Sequence, residues 1–244
     1  MSPMLIIAKR EFRSYFDSPL AYVVICISFL VLGAFFFMVG GGFWQTDRAT
    51  VSQIFALSPY GLAFLVVPVI TMRLIAEEKR SGTLEMLITL PVRDSDVVLG
   101  KYLGAMGMVM VLVLASAIYP IAMFKWPWNL GPLDTGPVFA GYLGLTLFCA
   151  ATVAIGLLIS ALTDSQAIAF FLTVFVLLAL WLLGKLAQYV GGAPGNFMNF
   201  VAFDTRLSGF WRGLIDTRDV VFFLSVAAVC LVVAFRALER RKWA

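Results

Sequence analysis

No histidine occurs anywhere in the 244-residue chain. That absence removes His-ligated zinc hydrolases, haem held through an imidazole and Ser-His-Asp triads together. Cysteine is scarce. Cys26, Cys149 and Cys230 are scattered through apolar runs with no CxxC pairing, so they frame no disulfide set and read as packing residues. Charged residues make up only 13% of the chain, against about 25% in soluble domains. No G-x-x-x-x-G-K-[ST] pattern is present, which excludes ATP binding by a P-loop in this chain. The net charge of +4 comes without a long basic stripe interleaved with aromatics, so a nucleic-acid role is poorly supported.

What the chain has in abundance is apolar surface, at 61% hydrophobic residues. That excess must face something other than water. In lipid, backbone polar groups are satisfied within helices, so the expectation is an all-α integral membrane fold forming a single domain over residues 1–244. Six spans are expected, at about 20–40, 57–75, 97–123, 138–162, 167–189 and 220–236. The first is read as a retained span rather than a cleaved signal, because its apolar run is long and no A-x-A site follows. The last has 16 uncharged residues between Asp219 and Arg236, so those two charges are expected to snorkel or the bilayer to thin. Pro68 removes one helix hydrogen bond and is expected to kink the second span, either as a hinge or as tolerated packing. In the third, Gly100, Gly104 and Gly107 offer a small face for close helix contact, and Lys101 is expected to snorkel to the interface.

Four further segments lie outside the spans. Over residues 3–18, Leu5, Ala8, Phe12, Tyr15 and Phe16 recur at helical spacing while Lys9, Arg10, Arg13 and Asp17 take the other side, predicting an N-terminal amphipathic helix. Residues 124–137 are a turn-rich loop with Trp126 and Trp128, which suit a membrane interface. Thr163–Gln166 reads as a tight turn. Beyond the break at Gly191–Gly195, Phe197, Phe200, Leu207, Phe210 and Leu214 form an apolar stripe, read as an outer re-entrant or interfacial segment before the last span.

Lysine and arginine set the orientation. With both termini inside, twelve of them fall on inner segments and six on outer ones, which places the termini in the cytoplasm. The centres of the spans carry no ionisable side chain, which argues against an ion-coupled secondary transporter. Energy is then expected to come from another subunit.

The longest charged island, Glu77–Pro91, sits between the second and third spans. Glu77-Glu78 resembles the paired glutamates of membrane-embedded proteases, but Gly82 stands where the arginine of E-E-x-x-x-R would fall, and histidine is absent. Amphipathic and stopped by Pro91, the island reads instead as a short surface helix that a cytoplasmic partner could grip. Glu77, Glu78, Arg80 and Glu85 would supply charge pairs, and Leu84, Leu87 and Ile88 an apolar stripe. The plainer alternative is a solvated loop whose charges are set by topology.

The run Glu78…Gly82-Thr83-Leu84-Glu85…Leu87 resembles the E-x-x-x-G-T-L-E-x-L motif of ABC-2 type permeases, the six-span subunits of ATP-driven transporters. The stretches Arg212–Val220 and Leu238-Glu239-Arg240-Arg241 resemble the gliding-motility (GldF) subfamily and its nitrous-oxide-reductase maturation relative, NosY. The resemblance implies a non-catalytic permease, an exporter in the bacterial inner membrane, working with two separate ABC ATPase subunits and a second permease copy or paralogue. It implies that Glu77, Glu78, Arg80, Gly82, Thr83, Leu84, Glu85 and Leu87, within a coupling region at 76–95, serve ATPase coupling. ATP and magnesium would sit on the partner, leaving no cofactor or metal in this chain. An alternative is an anchoring or mechanotransmission subunit that acts on an extracytoplasmic partner without moving solute.

Overall fold

The structure, a computed structural model, describes residues 2–38, 52–83, 93–124 and 135–241. Among these residues every regular element is helical, as the composition requires. Helix α1 (Pro3–Asp17) starts with proline at its first turn, where the missing N–H costs nothing, and stops at Ser18. Ser18 is extended because Pro19 follows it. Helix α2 (Pro19–Met38) is an uncharged 20-residue run, and its Ala21–Ala34 portion is bent 74° from α1.

The second predicted span is not a uniform helix. Helix α3 (Ser52–Gly61) passes into a π-helical segment (Leu62–Val66), then α4 (Val67–Thr71), a turn, and the short α5 (Ala76–Ser81). The cause is Pro68. It has no N–H to give to the carbonyl four residues back, and widening the preceding turn moves that carbonyl clear of its ring. The Val67 N–H accordingly reaches the Leu62 carbonyl. The predicted third span is likewise divided, into α6 (Asp94–Ala115) and α7 (Ile118–Phe124). Here Pro120 cannot bond to the carbonyl of Ser116, which instead accepts the Tyr119 N–H at 3.1 Å.

Helix α8 (Thr135–Leu162) is the axis of the molecule. Of its apolar stretch 72% is buried, against 22% for α9 (Gln166–Leu186) and 17% for the last helix, α12 (Thr217–Arg241), whose outer faces are left for lipid or another chain. Glycines let neighbours close on it. A Cβ at Gly141 would fall 2.6 Å from the Phe55 ring, at Gly144 2.6 Å from Phe210, and at Gly156 2.3 Å from the Thr71 hydroxyl. Among the described residues five helical stretches are long and apolar enough to cross a membrane: Ser58–Ser81, Asp94–Ala122, Thr135–Leu162, Gln166–Leu186 and Thr217–Glu239. The bent pair α1–α2 makes a sixth if it counts as one span.

The segment between the last two long helices is two short helices, α10 (Gly192–Val201) and α11 (Phe203–Trp211), separated by extended Ala202. Phe203, Leu207 and Phe210 of α11 are buried, and Phe203 meets Phe148 and Phe223 edge to face. Polar pairs pin the same region. Asp204 accepts the Tyr60 hydroxyl at 2.8 Å and pairs with Lys185 at 2.9 Å. Arg206 pairs with Asp219 at 2.8 Å while its guanidinium lies over the Phe200 and Phe222 rings. Asp219, expected to snorkel or to sit in a thinned bilayer, is paired with Arg206 and 17% exposed.

Candidate coupling site

The charged island begins where the second span breaks. Residues 72–75 leave the α-helical register between α4 and α5, which frees several backbone groups. Four backbone groups at the break, the Ile70 and Met72 carbonyls and the Ile75 and Ala76 N–H groups, are met by side chains from other helices. The Tyr15 hydroxyl donates to the Ile70 carbonyl at 3.2 Å. Ser160 of α8 accepts the Ile75 and Ala76 N–H groups at 3.1 and 3.0 Å and donates to the Met72 carbonyl at 3.4 Å. One hydroxyl therefore uses its donor and both acceptor positions on the break. Arg73 and Glu77 close over it as an i,i+4 pair at 2.8 Å.

Helix α5 ends at Gly82, whose φ of +71° is the left-handed cap that favours glycine. The Gly82 N–H bonds back to the Lys79 carbonyl at 3.3 Å, and the Ser81 hydroxyl donates to the Glu77 carbonyl at 3.0 Å. This is a mechanical reason for glycine in the island. Leu84, Glu85 and Leu87 lie outside the described residues.

The two faces of α5 differ sharply. On the inner face Lys79, 2% exposed, donates to the Ala161 and Thr163 carbonyls at the end of α8 and pairs with Asp164 at 3.4 Å. A cation there offsets the negative end of the α8 dipole. Glu78 also points inward, to Lys101 at 2.7 Å and to Arg10 at 3.5 Å. Lys101 pairs again with Glu11 at 3.0 Å, and Arg10 with Glu11 at 2.9 Å. On the outer face Arg80 and Ser81 are exposed and Glu77 is half-buried in its pair with Arg73, while Gly82 and Thr83 are exposed beyond the helix end.

Lys101 corrects the sequence reading. It does not snorkel: it is 1% exposed. Helix α1 covers it, and two carboxylates reach it there, so leaving for water would forfeit both. The same packing explains Gly100, Gly104 and Gly107. A Cβ on Gly100 would lie 2.8 Å from Ile7, on Gly104 2.6 Å from the Glu11 Cβ, and on Gly107 3.0 Å from Phe12. The small face is real, and its partner is α1, running alongside α6 in the same direction. Burial pushes the Glu11 carboxyl up, but Lys101 and Arg10 beside it outweigh that and hold its pKa below the ordinary value.

Of the residues picked from the sequence, Glu77, Glu78, Arg80, Gly82 and Thr83 share this site, with Glu78 turned inward rather than toward a partner. Arg10, Glu11, Tyr15, Arg73, Lys79, Lys101, Ser160 and Asp164 complete it. Their sequence positions carry no shared pattern that would have grouped them.

Residues 45–202 match the family described as ABC-2 family transporter protein, well over half of the chain and the whole of α3 to α5 with the break between them. The chain belongs to the ABC-2 family. It is therefore a multi-pass membrane component of an ABC transporter. The match begins after α1 and α2 and ends before α11 and α12. No curated protein matches the chain.

Proposed function

We propose that this ABC-2 protein is the non-catalytic permease subunit of an ATP-driven exporter, and that residues 77–91 are the segment on which separate ATPase subunits dock. The observation that carries the reading is the asymmetry of α5. Lys79 and Glu78 lock one face to α8 and α6, while Arg80 and Ser81 leave the other face open. A helix held on one side and free on the other can receive a push and pass it on. Ser160 and Tyr15 at the break above it give the push a defined pivot. The excess of Lys and Arg on the segments flanking α5 supports an inner-membrane protein with both termini and α5 in the cytoplasm. An assembly of two permease chains with two ATPases follows from the symmetry usual for such oligomers. ATP and magnesium would be held by the ATPases, and the apolar spans suit an apolar or amphipathic cargo.

The alternative, an anchoring or mechanotransmission subunit acting on an extracytoplasmic partner, draws on α10 and α11. Phe197, Phe200 and Leu214 are exposed in and beside that pair. The gliding-motility or NosY-like subfamily belongs with that alternative and rests on the chain's closing residues.

Co-purification of the tagged chain from its native membrane, with mass spectrometry of what accompanies it, tests the proposal. An ABC ATPase at stoichiometric ratio supports it. An extracytoplasmic protein in addition turns the reading toward transmission. A chain recovered with no ATPase overturns the coupling assignment.

A further inference from the structure

Helix α1 lies outside the family match, yet it supplies two of the three charges around Lys101, Arg10 and Glu11, the third being Glu78. We propose that Lys101 is a positioning residue for coupling, fixing α1, α5 and α6 into one moving body, so that a displacement of α5 is delivered to α6 and to the N-terminal helix together. The inference rests on the coupling reading above.

The Lys101 ammonium is enclosed, 1% exposed, and touches carboxylates 90 residues upstream and 23 residues upstream, Glu11 and Glu78. Those carboxylates belong to different helices, and among the described residues no other side chain contacts both from a buried position. Arg10 also reaches both, but it is 55% exposed, so water screens its pull. Lys101 acts where little water intervenes, and there a charge pair is much stronger.

Glu78 depends on it. Oε1 accepts a hydrogen bond from the Lys101 ammonium at 2.7 Å, while Oε2 is buried with no hydrogen-bond partner among the described residues. Without Lys101, Glu78 would be a largely covered carboxylate, 18% exposed, whose remaining cation among the described residues is Arg10 at 3.5 Å. The cheapest relief is rotation of α5 that takes Glu78 to water, which separates α5 from α1 and α6. The break at 72–75 uncouples α5 from the α-helical hydrogen bonds of the second span, so the rotation works against the Ser160 and Lys79 contacts to α8. On the other side of Lys101 the glycine face admits no gap, with Gly104 directly against Glu11. Backbone contact joins α1 to α6, and the lysine joins α5 to both.

The test uses the permease assembled with its ATPase, with Cys26, Cys149 and Cys230 replaced by alanine and spin labels at Lys9→Cys on α1 and Ser81→Cys on α5. The expected label-to-label distance is the same without nucleotide and with a non-hydrolysable ATP analogue. In Lys101→Met the distance changes with nucleotide, and permease-stimulated ATP hydrolysis falls about fivefold or more. A triple variant, Glu11→Gln/Glu78→Gln/Lys101→Met, removes the buried charge altogether. It regains the thermal stability that Lys101→Met loses but stays uncoupled, which a purely structural lysine would not produce. Parental hydrolysis and a fixed distance in the triple variant overturn the proposal, as does a parental distance that moves with nucleotide. Failure of the unlabelled parent chain to assemble with any ATPase removes the coupling reading itself and this inference with it. Because Ser81 lies on the docking segment, distances are read in labelled chains that assemble and stimulate hydrolysis as the unlabelled parent does. Assembly followed by either overturning result removes only this inference.

Discussion

The hydroxyl of Ser160, on α8, accepts the backbone N–H of Ala76, on α5, at 3.0 Å, across a gap of 84 residues in sequence. The same oxygen accepts the Ile75 N–H, so one side chain caps the broken end of the second span. Ser160→Ala leaves both donors buried without a partner. The expected loss is about 1–3 kcal/mol, read as a lower melting temperature of the detergent-solubilised chain. Ser160→Thr, which keeps the hydroxyl, retains more of the stability than alanine does.

Lys79 and Asp164 form a pair whose halves are unequal. The lysine is 2% exposed and also serves the Ala161 carbonyl of α8 and the Thr163 carbonyl just beyond it, whereas the aspartate is 69% exposed. Asp164→Asn is expected to cost well under about 1 kcal/mol, as for an exposed ion pair. Lys79→Met strips the end of α8 of its cation and donors and is expected to cost clearly more. Thermal melts of the two variants side by side decide it; equal effects would show that the carbonyl contacts contribute nothing.

Gly104 is the point of closest approach between α6 and α1, where a Cβ would sit 2.6 Å from that of Glu11. Gly104→Leu should force the helices apart, at about 1–3 kcal/mol for overpacking. Limited trypsin digestion reads the consequence, since Lys9, Arg10 and Arg13 lie on α1. Faster cleavage there, with the rest of the chain protected, is the expected result. An unchanged rate would mean that α1 does not depend on the glycine face.

The pH response follows from the depressed pKa of Glu11. Its ordinary value is 4.5, and the folded protein holds it lower through Lys101 and Arg10. Stability from the ionised carboxylate is fully present above the ordinary value and is lost as pH falls through the depressed one. Melting temperature should therefore decline below pH 4.5 in the parent protein and less steeply in Glu11→Gln. The groups facing Glu11 are Lys101, Arg10 and, through them, Glu78.

Arg80 separates docking from folding. It is exposed on the open face of α5, so Arg80→Ala should leave the melting temperature unchanged while weakening recovery of the ATPase in a pull-down. Glu78→Lys should do more, because it sets a cation beside Lys101 and Arg10 as well. Hydrolysis stimulated as in the parent by both variants would remove these residues from the coupling assignment.

The amino-acid sequence by itself determined the solvent, the helical class and the approximate ends of the long apolar stretches, because these follow from one-dimensional quantities. Apolar excess demands lipid, a run of about 20 residues crosses it, and Pro, Gly and paired charges mark where helices stop. Even local breaks were legible from Pro68, although a proline does not disclose whether the chain will kink or widen into a π turn. Gly82 and the island's place after the second span were visible for the same reason.

Only the tertiary structure decided which charges face inward. Glu78 and Arg80 are two residues apart and look alike as topology charges, yet Lys101 claims one and solvent the other. Lys101 reads as a snorkelling lysine until α1 is laid over it, and α1 reads as a headgroup helix until Gly100, Gly104 and Gly107 give it a seat. Burial and pairing depend on which surfaces meet, and helices distant in sequence meet through shape and charge complementarity that no periodicity encodes.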